Sequence, residues 1–166
     1  MKVIKLTGTD AIHIRESGSV LEDTVIIDKA TQEVKKQAHR DGVQFIPQRA
    51  GRFFNTQFSG AILENVTVRN TRIISDGLLQ CLFISDGGID ATIEDNVLQT
   101  NGQHFISVCM LSGTISNNRD VAGNLAPVRL FPMRIGGNSD GKLNVYILSF
   151  SDPAYCYAPI SEIVID

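Results

Sequence analysis

The chain has 166 residues, of which 43% are hydrophobic and 20% are charged, and its formal net charge is −3. This length suits one domain with a buried core, and the small net charge disfavours binding to nucleic acid or to a membrane surface. No apolar run approaches the roughly 20 residues that cross a bilayer, and the first residues lack the apolar stretch of a secretory signal. We therefore expect one soluble domain that is made in the cytoplasm.

The three cysteines, Cys81, Cys109 and Cys156, are widely spaced. None of them forms the close pair that a zinc site or a redox motif requires, so we predict free thiols, at least two of them buried. No two histidines share metal-ligand spacing, and the glycine pairs do not lead from a strand into a helix. The sequence thus predicts neither a metal nor a cofactor.

The N-terminal part contains an irregular copy of a later pattern. Residues 1–20, with a turn near Thr7–Asp10, are predicted to cap one end of the fold. Leu21–Ile26 echoes Leu63–Val68, which leaves 43 residues between Thr24 and Thr67. This gap holds either one turn of the repeat with an insertion or two irregular turns. Ala30–Ala38 fits a short helix.

Three phrases in the middle of the chain begin with threonine and end in an Asn or Asp turn. They start at Thr67, Thr92 and Thr114, which are 25 and 22 residues apart. A second turn begins nine or ten residues after each of these threonines, at Asp76, Asn101 and Asn124, and an apolar strand follows each turn. Short strands with turns at a constant phase indicate a coil of stacked strands.

We therefore predict an all-β fold, a single-stranded right-handed parallel β-helix of about four or five rungs with terminal capping segments. Residues 21–140 form the coil, and residues 141–166 form the last strand and a tail. An antiparallel sandwich also has short strands, but it has no reason to repeat turn residues at one phase. A doubly wound α/β fold would need amphipathic helices, which the sequence lacks outside Ala30–Ala38.

Equivalent side chains of stacked rungs should form columns. Asn70, Asn96 and Asn117 are expected at one corner, because asparagine accepts a left-handed backbone. A second column is predicted from Asp41, Asp76, Asn101 and Asn124, in which asparagine relieves the repulsion between carboxylates.

Several phrases resemble the right-handed parallel β-helix, or pectin-lyase-like, superfamily. They are Thr92–Val97, His39–Gln44 and Leu111–Asn118. Residues 20–140 are similar in phrasing to bacteriophage and prophage members of that group. The resemblance implies either a tailspike that cuts surface polysaccharide or a fibre or decoration protein of the phage particle, often a trimer.

An enzyme of this kind needs two carboxylates that face one groove. Asp41 and Asp76 would supply them if they stack on adjacent rungs, with His39 as a proton carrier. Both Asp-Gly pairs are also ordinary turn chemistry, and the motifs of polygalacturonases and pectate lyases are absent. The sequence therefore favours a structural protein that has no catalytic residues, with a polysaccharide-binding or depolymerising tailspike as the alternative.

The structural interpretation implies surfaces that bind other proteins. Aromatic residues beside arginine are typical interface anchors. The candidates are Arg49, Arg52, Phe53 and Phe54 in a polar loop, and Tyr155 and Tyr157 in the tail. The alternative for Phe53 and Phe54 is that they cover the coil. The expected partners are further copies of the chain, as a trimer or higher assembly, and other virion proteins.

Overall fold

A computed structural model of the chain describes residues 2–6, 11–28, 40–45, 48–49, 52–53, 58–59, 63–78, 80–84, 88–102, 104–108, 112–130, 133–136, 144–147 and 163–165. Within these ranges the protein is all-β, with parallel sheets and no helix. The segment Ala30–Ala38, for which the sequence predicts a helix, lies outside the described residues. The described residues also include no helix long and apolar enough to cross a membrane.

The strands are short, with two to five residues each. In chain order they are β1 Lys2–Leu6, β2 Ile12–Ile14, β3 Val20–Glu22, β4 Thr24–Asp28, β5 Asp41–Phe45, β6 Gln48–Arg49, β7 Arg52–Phe53, β8 Phe58–Ser59, β9 Leu63–Glu64, β10 Thr67–Arg69, β11 Arg72–Ile74, β12 Gln80–Ile84, β13 Gly88–Ile89, β14 Ala91–Glu94, β15 Val97–Gln99, β16 His104–Val108, β17 Gly113–Ser116, β18 Arg119–Asp120, β19 Val128–Leu130, β20 Met133–Gly136, β21 Asn144–Ile147 and β22 Ile163–Ile165.

Three five-stranded parallel sheets contain most of these strands. Sheet 1 has the order β1-β4-β11-β15-β18, sheet 2 has the order β2-β5-β12-β16-β19, and sheet 3 has the order β3-β10-β14-β17-β22. The chain passes through sheets 1, 2 and 3 in the same order repeatedly. Each time it adds to each sheet a strand beside the last one placed there. We call one visit to the three sheets a pass.

The register of sheet 3 confirms the central sequence prediction. Thr67 lies beside Thr92, and Thr92 lies beside Thr114. The strands are parallel, so the three threonines form one column on one sheet. The threonines that the repeat aligns in the sequence are therefore the residues that lie side by side in the sheet.

The N-terminal alignment from the sequence was wrong. Leu21 lies beside Val68, and Val25 lies beside Arg72, so Leu21–Ile26 is not equivalent to Leu63–Val68. Strand β10 pairs directly with β3, which means that one pass separates them. The short antiparallel strands β6, β7 and β8 fall within that pass, so the long gap is one pass with an insertion.

Both terminal segments add strands to the three sheets. Strands β1 and β2, within the predicted 1–20 cap, pair with β4 and β5. Near the C-terminus, β22 pairs with β17, so part of the tail adds a strand to the chain's own sheet. Strand β21 instead joins β20 and β8 in an antiparallel sheet.

The interior of the three sheets is apolar because alternate residues face it. In β4 the burial alternates strictly, with Ile26 fully buried between partly exposed Val25 and Ile27. All five residues of β5 are buried, so sheet 2 is covered on both faces at that strand. At Gly42 an added Cβ would lie 2.5 Å from the Cys81 carbonyl oxygen and 2.7 Å from Cγ2 of Ile73. Only glycine fits this contact between strands.

Candidate functional site

A ridge of short polar residues marks the corner at which the chain passes from sheet 3 to sheet 1. Its members have positive φ between 45° and 54°: Asp23, Asn70, Asp95 and Asn117. Aspartate and asparagine tolerate this left-handed backbone better than other residues with a side chain. We call these four residues the corner ridge. All of them are exposed.

Hydrogen bonds connect the ridge residues in pairs. Nδ2 of Asn70 donates to Oδ1 of Asp23, and Nδ2 of Asn117 donates to Oδ1 of Asp95 over 2.6 Å. Because aspartate and asparagine alternate from one pass to the next, no two carboxylates are adjacent in the ridge. The sequence predicted this relief of repulsion, but at other residues.

The predicted column of Asn70, Asn96 and Asn117 was wrong by one position. Asn96 belongs to a second, buried column that follows the ridge by one residue and includes Thr71 and Asn118. The sequence could not separate the two columns by residue type, because asparagine suits both positions. The number of residues after each aligned threonine does separate them, since Asn70 and Asn117 are three residues after theirs and Asn96 is four after Thr92.

The buried asparagines satisfy each other and the backbone. Nδ2 of Asn96 donates to Oδ1 of Asn118 over 2.8 Å and to the Val68 carbonyl over 3.0 Å. Oδ1 of Asn96 accepts from the Thr71 amide over 2.9 Å, and Nδ2 of Asn118 donates to the Ile93 carbonyl over 2.9 Å. Such a closed network tolerates burial and joins successive passes.

The outer face of sheet 1 begins two residues after the ridge. Its first column is Val25, Arg72, Val97 and Arg119, and its second column includes Ile27, Ile74 and Gln99. The apolar members are partly exposed and both arginines are exposed. At the start of the column, Val3 lies beside Val25 and is 51% exposed. Residues of the ridge and of this column line a surface cavity of about 330 Å³.

The outer face of sheet 3 is polar by comparison. The threonine column is partly exposed, and beside it Nη2 of Arg69 pairs with Oε2 of Glu22 at 2.7 Å. The hydrogen bond from Arg69 to Glu22, together with the charge of that carboxylate, raises the pKa of the arginine. Sheets 1 and 3 thus present different chemistry, apolar with arginine on one and threonine with a closed ion pair on the other.

A polar cluster lies inside the fold between sheets 1 and 2. The Arg40 guanidinium pairs with Asp28, and both side chains are fully buried. The second oxygen of Asp28 accepts from the Ser75 hydroxyl, whose Oγ accepts from the Leu78 amide over 3.0 Å. Without solvent access this ion pair cannot act on a substrate. It holds the end of β4 to the start of β5.

Sequence analysis missed this cluster because arginine and aspartate are normally exposed. The sequence does contain one signal of this buried cluster. Asp28, Ser75 and Thr100 each directly follow three residues that lie side by side in sheet 1, Ile27, Ile74 and Gln99. A polar residue therefore recurs at the same buried place in three passes.

The two conditional catalytic carboxylates, Asp41 and Asp76, do not share one surface. Asp41 is fully buried at the start of β5, where its Oδ1 accepts from the Gln80 amide over 3.2 Å. Asp76 is exposed in the turn after β11, and His39 lies outside the described residues. The predicted column that joined Asp41 to Asp76 was wrong, because the residue beside Asp41 is Gln80.

None of the predicted partner-binding residues has a described side chain. Arg49 belongs to β6, and Arg52 and Phe53 belong to β7, which pairs with β6 as an antiparallel hairpin. Phe54, Tyr155 and Tyr157 lie outside the described residues. The prediction that these residues bind partners stays a prediction.

Thiol and metal chemistry is limited in the described part of the chain. Cys81 is a free, buried thiol, and desolvation raises its pKa to about 12, so it holds its proton at neutral pH. Cys109 and Cys156 lie outside the described residues. No group of three His, Cys, Asp or Glu residues among those described could hold one metal ion.

Comparisons of the chain with protein-family models, with curated proteins and with solved structures found no match.

Proposed function

We propose that the chain is one right-handed parallel β-helix that serves as a non-enzymatic structural component of a bacteriophage virion. The observation that carries the fold is the repeated visit to the three sheets in one order, with the threonine column in register. Stacked passes bonded by backbone and asparagine columns make a rigid module. Such a module is suited to packing against other proteins.

Two features support packing over catalysis. The carboxylate of Asp41 is buried, so a polysaccharide cannot reach it, whereas the outer face of sheet 1 offers partly exposed valine and isoleucine beside arginine. A mixed apolar and arginine surface is typical of protein interfaces. The assignment to a virion, as a capsid decoration protein or a small tail module made in the bacterial cytoplasm, depends on the resemblance of the repeated phrases alone.

The test is the presence of the chain in phage particles. Antibodies raised against the purified chain are applied to phage particles from the host that encodes it, and the particles are analysed by electron microscopy and mass spectrometry. We expect label on the capsid or tail. A chain that is abundant in infected cells but absent from purified particles would contradict the virion role.

A second assay addresses the alternative of a tailspike enzyme. The purified chain is incubated with capsular polysaccharide from the host, and new reducing ends and unsaturated products are measured. We expect neither. Cleavage that is lost on Asp41→Asn or Asp76→Asn would overturn the structural proposal and favour the enzyme.

A further inference from the structure

The charges along the corner ridge and the outer face of sheet 1 alternate from pass to pass. The strand β4 carries Asp23 before it and Val25 on its face, whereas β11 carries Asn70 and Arg72. The pattern then repeats, with Asp95 and Val97 at β15 and Asn117 and Arg119 at β18. Four neighbouring strands therefore read acidic, basic, acidic, basic along the sheet.

These charges are not neutralised by each other within one chain. Arg72 and Arg119 form no ion pair with Asp23 or Asp95 in the described part of the molecule. Arg119 instead donates to Oδ1 of Asn117 and to the Gly123 carbonyl, each over 2.8 Å. The face thus offers two arginines and two carboxylates to a partner, around an apolar centre.

A row of four strands whose charges alternate in sign is complementary to the same row in reverse order. A two-fold axis that lies in the plane of the face, parallel to the strands and between β11 and β15, reverses the order of the strands in the second copy. Strand β11 then faces β15 of the other copy, and β4 faces β18. In both of these strand pairs, a strand that carries an arginine faces a strand that carries an aspartate.

Other arrangements of two copies lose this match. An axis parallel to the stacking direction sets each strand against its own equivalent, so Arg72 meets Arg72 and like charges repel. Shifting the axis by one strand leaves Arg119 or Asp23 without an opposite charge. Only the central position uses all four groups.

We propose that the outer face of sheet 1 binds a second copy of this chain about this two-fold axis, with the strand order of the two copies reversed and with Arg72 of each copy beside Asp95 of the other. The inference deepens the proposed packing role by naming the surface and the partner. It differs from the trimer that the resemblance implies, because the charge pattern is self-complementary about a two-fold axis.

The face is small, since neighbouring strands are only about 4.8 Å apart. An interface of this size belongs to the weak class, so we expect association only at about 10 to 100 µM chain and a loss at high salt. The measurement is sedimentation equilibrium of the full chain, for which one copy has a mass of 18.1 kDa.

Arg72→Glu places a carboxylate opposite Asp95 and should weaken the dimer by at least about tenfold. Arg129→Glu is the matched control, because it makes the same change at an exposed position on β19 of sheet 2, and it should leave the dimer intact. Asp95→Asn keeps a residue suited to positive φ. Alone it should weaken the dimer, whereas in the Arg72→Glu background it should strengthen it.

The effect of Asp95→Asn on the dimer thus changes sign with the residue at position 72. General destabilisation cannot produce this change, so it identifies the contact between Arg72 and Asp95. Circular dichroism checks that each variant is folded. A monomer at all concentrations, a trimer, or equal effects of Arg129→Glu and Arg72→Glu would overturn the inference. A chain that is monomeric yet present in phage particles would remove the dimer and leave the virion role in place.

Discussion

Nδ2 of Asn96 donates a hydrogen bond to Oδ1 of Asn118, 22 residues later in the chain, over 2.8 Å. Both side chains are buried, and both also bond to the backbone of a neighbouring pass. The hydrogen bond therefore joins two passes from inside, where water cannot replace it. This relationship makes the asparagine column a determinant of how the passes align.

Removing one member of this column should be costly. Asn118→Ala leaves an N–H group of Asn96 buried without its acceptor, and we expect a loss of about 1 to 3 kcal/mol in the free energy of unfolding. Urea denaturation followed by circular dichroism measures it. Asn101→Ala, at an exposed asparagine, is the control and should change stability by less than about 0.5 kcal/mol. Equal losses in the two variants would contradict the role of the column.

The two Arg-carboxylate pairs should differ strongly in their effect on stability. Asp28→Asn removes the charge that compensates fully buried Arg40, and we expect a loss of about 3 to 5 kcal/mol. Glu22→Gln breaks the exposed pair with Arg69, and because solvent screens that pair we expect a much smaller loss. Chemical denaturation of both variants compares them directly. Similar values would mean that Arg40 reaches solvent.

Gly42 should not tolerate a side chain. In Gly42→Ala the new Cβ meets the Cys81 carbonyl oxygen, and because that atom is backbone the strands β5 and β12 must move apart. We expect a loss of about 1 to 3 kcal/mol or more. Gly18→Asn is the control, since Gly18 has φ of +73° and no atom near its Cβ position. A stable Gly42→Ala variant would show that the two strands are not in this contact.

Asp120 should contribute stability only above acidic pH. Its carboxylate accepts from Nδ2 of Asn124 over 2.9 Å and from the Asn124 and Ala122 amides, and these bonds lower its pKa below the ordinary value of 3.8. A lowered pKa in the folded state means that the unfolded chain binds the proton more readily. The contribution is therefore present above about pH 4 and is lost as pH falls through the folded pKa.

The measurement is an NMR titration of the Asp120 carboxyl carbon, together with denaturation between pH 2 and pH 6. Asp120→Asn should flatten the acid side of the stability curve more than Glu16→Gln, which removes an exposed carboxylate outside this turn. A titration at or above the ordinary aspartate value would show that the turn does not hold the charged form.

The sequence predicted the repeat well because the threonine phrases combine two independent signals. Thr67, Thr92 and Thr114 each precede a β-branched residue and a polar turn, and these requirements come from the strand and from the corner separately. The predicted alignment of Leu21–Ile26 with Leu63–Val68 used a shared Leu-Glu-Asx start followed by β-branched residues. Asp23 and Asn65 both have positive φ, so the same signal marks two different corners of the fold, and an insertion hides the true spacing.

The surface of sheet 1 was missed for a different reason. Arg72 and Arg119 have meaning only after the register places them in one column with Val25 and Val97. The spacings between these positions are 47, 25 and 22 residues, of which the last two are also those of the threonine column, but the alternation of valine with arginine hides the repeat. Counting five residues from Val20, Thr67, Thr92 and Thr114, which lie side by side in sheet 3, finds all four.

Engineered disulfides test whether the strands of sheet 3 are stacked in this register. In Thr67→Cys with Thr92→Cys the two Cα atoms are about 4.8 Å apart, within the range that a disulfide spans, and mild oxidation should join them. In Thr67→Cys with Thr114→Cys the separation is about 9.6 Å, which is too long. Mass spectrometry of the digested monomer identifies the bridge. We predict a 67–92 bridge and no 67–114 bridge; the opposite result in folded protein would contradict the stacked passes.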